Sequence, residues 1–290
     1  MSNYTETSFT SADGLRLVAR DYAPASGPAR LPVICIHGLT RNSADFEDVA
    51  PWIASLGRRV LAVDVRGRGN SAYDPNPANY NPTVYAGDVI RMARDLGIAR
   101  AVFVGTSMGG LITMTLALRR CGLIGAAVLN DVGPVISVRG LQRIAAYTGK
   151  GELLDSWAAA ADYTRSINEL AFPANTQQDW ERWARRAFTQ NAAGQLALRY
   201  DPNIAVPIRA GNLKPTSMTA RFAFRRLARH CPTLLVRGKL SDLIEAEQVA
   251  QMRAMAPGMA YAEVPGVGHA PMLSEPEAQA ALREFLGRVD

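Results

Sequence analysis

The chain has 290 residues, of which 48% are hydrophobic and 20% charged, with a formal net charge of +6. That balance belongs to a globular protein with a large core and excludes a disordered or collagen-like chain. No run approaches the roughly 18 apolar residues of a membrane span, and three cysteines without paired spacing exclude a disulfide framework or a zinc site.

The opening stretch, MSNYTETSFTSADGLRL, is polar and has no basic-then-apolar leader, so a cytoplasmic location is expected. Residues 5–22 alternate weakly around Ala12-Asp13-Gly14, which predicts a β-hairpin. Three apolar runs bounded by breakers follow: 31–38 (LPVICIHG), 58–67 (RRVLAVDVRG) and 100–107 (RAVFVGTS). Runs of this kind suit strands buried on both faces of a parallel sheet. Helical periods at 43–57 and 83–97 separate them, and both end at a glycine. A helix over 108–120 and a strand over 125–131 continue the alternation. The predicted class is therefore α/β, a mostly parallel twisted sheet with helices on both faces.

The rhythm breaks at residues 134–230, where helical periods and aromatic patches occur without a convincing strand. This segment holds 14 basic and 7 acidic residues and so carries the whole positive excess. Only Lys150, Lys214 and Lys239 are lysines; the other basic residues are arginines. No zinc-finger spacing or RNA-binding aromatic motif accompanies them, so neither nucleic acid nor membrane is an expected partner. The rhythm returns with a strand at 232–238, a helix near 245–256, a strand at 259–268 and a helix from Pro276. Strands on both sides of 134–230 make it a helical insertion after the sixth strand. The expected core is 1–133 plus 231–290, and the expected cap is 134–230. No signal of oligomeric state is present.

Gly105-Thr106-Ser107-Met108-Gly109 matches G-x-S-x-G between a buried strand and a helix, the context in which a sharp turn exposes a nucleophilic serine. Glycines on either side relieve the crowding of such a turn. A serine hydroxyl needs a base. Of His37, His230 and His269, only His269 follows a late strand, which puts it at the same sheet edge as Ser107. The order Ser…Asp…His is satisfied by Asp131 or Asp242, each just past a strand. An acyl-transfer site also needs donors for an oxyanion; the backbone N–H groups of Met108 and Leu39 are the candidates. No metal cluster or phosphate loop is evident, so no cofactor is expected.

Taken together, CIHGLTRN, VDVRGRGNS, VGTSMGG, VRGKLSD and GVGHAPM resemble the α/β-hydrolase superfamily over nearly the whole chain. The pattern is similar to its esterase, lactonase and carbon–carbon bond hydrolase branches. The elbow carries serine where the dehalogenases and epoxide hydrolases of this fold carry aspartate. The resemblance implies a catalytic acid after strand 232–238, hence Asp242, with Asp131 as the alternative. It implies a cofactor-independent hydrolase of an ester, lactone or related carbonyl substrate, acting through an acyl-enzyme on Ser107. A ligand-binding receptor with little turnover, and a cofactor-free haloperoxidase or perhydrolase, are the alternatives. The arginine-rich segment further suggests a small substrate bearing a carboxylate held by cap arginines.

Overall fold

The computed structural model describes residues 4–27, 29–211 and 214–289. Positions 1–3, 28 and 290 of the expected core, and 212–213 of the expected cap, lie outside them. Strands β1 (Thr5–Thr10), β2 (Arg16–Tyr22), β3 (Val33–Ile36), β4 (Val60–Asp64), β5 (Ala101–Thr106) and β6 (Ile124–Asn130) precede the insertion. After it come β9 (Thr233–Gly238) and β10 (Ala260–Val264). They form one eight-stranded sheet in the order β1-β2-β4-β3-β5-β6-β9-β10. The β1–β2 and β2–β4 pairings are antiparallel, and every other pairing is parallel. All of β3, β4, β5 and β6 except Thr106 is buried, as the near-continuous apolar runs require of strands covered on both faces.

Helices α1 (Val49–Ser55) and α10 (Pro276–Gly287) cover one face, where Val49, Ile53, Leu282 and Leu286 meet Val33, Val102 and Val236. On the other face lie α2 (Pro82–Asp95), α3 (Met108–Arg119) and α9 (Ala246–Met255). Val89, Ile112 and Met252 there pack with Ile34, Phe103 and Leu235. Asn81 caps α2 by accepting from the N–H groups of Thr83 and Val84, with Pro82 preset for the first turn.

The cap follows β6. It contains α4 (Val138–Tyr147), α5 (Trp157–Asn168), α6 (Gln177–Ala187), α7 (Val206–Arg209) and α8 (Met218–His230). Trp180, Trp183, Phe172 and Phe188 form a small core of its own. Two findings differ from the sequence reading. A short antiparallel hairpin, β7 (Phe188–Gln190) with β8 (Leu196–Leu198), lies in a segment read as strandless. In addition, α8 sends Phe224 and Leu227 into the same core layer as α2 and α3, so the last helix of the insertion serves the sheet.

Candidate active site

Parallel strands bring their C-terminal ends to one edge, and β5, β6 and β9 are neighbours there. Ser107 follows β5 with φ 52° and ψ −112°, left-handed backbone that an L-residue adopts only when its surroundings enforce it. Its N–H donates to the Asn130 carbonyl at the end of β6 (3.0 Å), and its carbonyl accepts from the N–H of Gly110 (2.9 Å). The flanking glycines make this possible. A Cβ on Gly109 would stand 2.0 Å from the Ile36 carbonyl oxygen, and one on Gly105 would stand 2.5 Å from the Gly109 backbone. Only hydrogen fits where α3 presses onto β3 and β5.

His269, after β10, places Nε2 2.9 Å from Ser107 Oγ. Its Nδ1 lies 2.8 Å from Asp131 Oδ2. The contact expected of Asp242 is thus made by Asp131. Asp131 directly follows β6 with φ 54° and is fully buried. Besides His269, its carboxylate accepts from the Gly238 N–H (3.0 Å) and the Ser241 hydroxyl (2.5 Å). A buried carboxylate with three such partners is held in one orientation. Asp242 turns away and forms a two-pronged ion pair with Arg143 of α4, at 2.5 and 2.8 Å. Burial pushes the Asp242 carboxyl up, but the hydrogen bond and charge of Arg143 outweigh it and hold the group below the usual aspartate range. Because β6 and β9 are adjacent, both post-strand aspartates reach the same edge, and order along the chain cannot separate them. Ser241 turns its hydroxyl inward to Asp131 while its neighbour Asp242 pairs with the cap, an arrangement that no sequence signal marks.

His37 is outside the Ser107–His269–Asp131 hydrogen-bonded series, yet it shapes the site. Fully buried, its ring accepts from the Val65 N–H at Nε2 (3.1 Å) and meets the Gly38 carbonyl through Nδ1 (2.7 Å). The Arg41 N–H donates to that same carbonyl (3.2 Å). The Gly38 carbonyl and the Leu39 N–H share one trans peptide and point in opposite directions. Fixing the carbonyl therefore aims the Leu39 N–H away from His37. Burial depresses the His37 pKa to about 4, so the ring stays neutral. Met108 opens α3, whose first N–H groups have no acceptor within the helix. The sequence reading missed this positioning role of His37. His230, at the end of α8, lines neither cavity described below.

Two cavities reach Ser107. One, of about 80 Å³, has a mixed lining in which Thr40, Arg41, Asp45, Asn168 and His269 stand beside Phe46, Trp183 and Met272; it is the more polar of the two and is called the polar cavity. The other, of about 630 Å³, is apolar and is lined by Met108, Leu111, Val132, Ile136 and Ile208 among others. Of the twelve arginines in 134–230, none lines either cavity; the arginine at the polar one is Arg41, from the loop after β3. Some cap arginines are engaged elsewhere: Arg186 holds Glu47 and Asp48 (both 2.6 Å), and Arg185 lies over the Trp157 ring. Among the described residues, no group of three or more His, Cys, Asp or Glu side chains is placed to hold a metal ion. Among them too, no helix is long and apolar enough to cross a membrane.

Comparison with known proteins agrees with this architecture. Residues 33–282 match the model of the alpha/beta hydrolase family. The chain is 32% identical over 275 residues to the 3-hydroxybutyrate-oligomer hydrolase of Cupriavidus necator, covering 93% of this chain and 92% of that protein. It is 27% identical to the 2-(acetamidomethylene)succinate hydrolase of Mesorhizobium japonicum, covering 91% and 89%. The crystal structure of an alpha/beta hydrolase from Novosphingobium aromaticivorans superimposes with a TM-score of 0.91 at 40% identity, covering 100% of both chains. With the family model spanning most of the sequence and a relative alike over nearly its full length, this chain belongs to the alpha/beta hydrolase family.

Proposed function

We propose that the protein is a cofactor-independent serine hydrolase of carboxylic esters, working through an acyl-enzyme on Ser107. The observation that carries the reading is the unbroken series of hydrogen bonds from Ser107 through His269 to Asp131, set where two cavities meet. His269 Nε2 takes the Ser107 proton as Oγ bonds to the substrate carbonyl carbon. Asp131 holds the tautomer with the proton on Nδ1 and stabilises the imidazolium that results. The N–H groups of Leu39 and Met108 receive the oxyanion. As the tetrahedral adduct collapses, the C–O bond to the alcohol breaks and His269 returns its proton to the departing oxygen. Water, deprotonated in turn by His269, releases the acid and restores Ser107. The cap closes over this edge and forms the cavity walls with the sheet loops.

Esters are the substrate class because the Cupriavidus relative, alike over 93% of the chain, acts on 3-hydroxybutyrate oligomers, which are carboxylic esters. We further read any carboxylate on the substrate as bound at Arg41, not at the cap arginines. Arg41 is the cation of the polar cavity, and it is stacked 4.3 Å above the Trp183 ring and paired with Asp45 (2.7 Å). The reading keeps the protein in the cytoplasm, which its free cysteines Cys35, Cys121 and Cys231 support.

Replacing Ser107 with Ala tests the reading. Turnover of a simple ester should fall by a factor on the order of 10⁶, with the circular dichroism spectrum and melting temperature retained. The wild type should also be labelled rapidly by a fluorophosphonate. A receptor with an inert serine would give slow labelling and no Ser107-dependent turnover.

A further inference from the structure

The two cavities at Ser107 differ in chemistry and in which catalytic groups they see. They share Leu39, Ser107 and Ile144 and diverge from there. His269 lines the polar cavity alone, and Met108 lines the apolar cavity alone. The departing alcohol oxygen must take its proton from His269 Nε2, so it must lie on the side that His269 faces. The carbonyl oxygen must sit between Leu39 and Met108, at the boundary. The acyl chain is left with one direction, past Met108 and Leu111 toward Ile208.

That direction offers hydrocarbon. The two tyrosine hydroxyls along it are already occupied: Tyr85 accepts from Arg68 (2.8 Å), and Tyr80 donates to Asp201 (2.5 Å). At about 630 Å³ the cavity has the size of a small-molecule site, whereas about 80 Å³ on the His269 side holds only a compact group. We propose that the apolar cavity takes the acyl chain and the polar pocket the leaving alcohol, which makes the preferred substrate an ester of an extended aliphatic acid with a compact, polar alcohol. This rests on Ser107 being the nucleophile. An oligoester cleaved so that one terminal hydroxy acid departs has this shape, with the remaining units as the extended acyl part.

Isomeric esters that differ only in the direction of the bond provide the test: methyl decanoate against nonyl acetate, with methyl butyrate as a short reference. The wild-type kcat/KM for methyl decanoate should exceed that for nonyl acetate by about tenfold or more, since several methylenes enter apolar surroundings in one direction only. Ile208→Trp, narrowing the far end, should lower the decanoate-to-butyrate ratio about tenfold when both are measured on one active-site-titrated sample. A preference for nonyl acetate, or equal rates for the isomers, would overturn the assignment even if the variant failed to fold. Absence of Ser107-dependent hydrolysis of all three esters would instead defeat the hydrolase reading itself.

Discussion

Asp131 and Asp242 stand at the ends of neighbouring strands, and their surroundings separate their roles. Asp131 is inaccessible, and its carboxylate is shared among His269, Gly238 and Ser241. Asp242 is partly open and paired with a cap arginine. Asparagine at 131 can present its amide N–H to Nδ1, which drives the imidazole to the tautomer that cannot accept the Ser107 proton. Asp131→Asn should therefore cost on the order of 10⁴ in kcat. Asp242→Asn loses only one side of an ion pair outside the proton path and should stay within about tenfold of wild type. Both are read on the same ester; the opposite ranking would return the acid to the later strand. That Ser107 and His269 come together was legible, because a glycine-flanked serine and a late post-strand histidine leave few options. Which aspartate meets His269 was not, since that depends on which of two side chains turns inward, and it is decided by Ser241 and Arg143 at distances the sequence does not encode.

At the scale of elements, the strands and the helices beside them were readable from apolar runs, breakers and caps. The cap was less so. Strands β7 and β8 are three residues each, too short for an alternation to register, and their pairing depends on the tight turn at Asn191 and Gly194, the latter with φ 83°. Helix α8 has an arginine-rich face that suggests a surface element, yet Phe224 and Leu227 on its other face complete the layer over the sheet. Cap and core are joined by Arg186 of α6, almost fully buried, which reaches Glu47 and Asp48 beside α1, while its carbonyl accepts from Asn42 (2.8 Å). Both carboxylates retain access to water and can rehydrate when the arginine is lost. Arg186→Ala should then cost about 1–2 kcal/mol of stability, less than a pair buried on both sides. It should also raise KM more than it lowers kcat, because the joint holds the cap over the pocket without touching the proton path. Chemical denaturation and steady-state kinetics on one preparation check both parts. A fall in kcat with KM unchanged would mean that the joint sets the catalytic geometry instead.

Over the whole molecule, a net charge of +6 draws anions from a distance, while Arg41 lines the polar cavity, where we propose that an anionic leaving group comes to rest. Salt separates the two effects. Field from the surface arginines is screened beyond about 10 Å at 0.1 M ionic strength and about 3 Å at 1 M. A contact with Arg41, whose side chain is only 18% exposed, is screened far less. The substrates that resolve them are 3-(decanoyloxy)butyrate and its neutral amide, which share the acyl chain and differ in charge only at the leaving side. At low salt the acid should show the higher kcat/KM, by roughly tenfold from steering and contact together. As salt rises, the advantage should shrink to a plateau of a few-fold, the part due to Arg41. Arg41→Gln should remove that plateau and leave the low-salt slope, since it deletes one charge of many. A neutral amide preferred at every ionic strength would show that the polar pocket discriminates against a carboxylate, and would leave the basic excess with its structural tasks: Arg143 on Asp242, Arg186 on Glu47 and Asp48, and Arg226 on the Ala117 carbonyl.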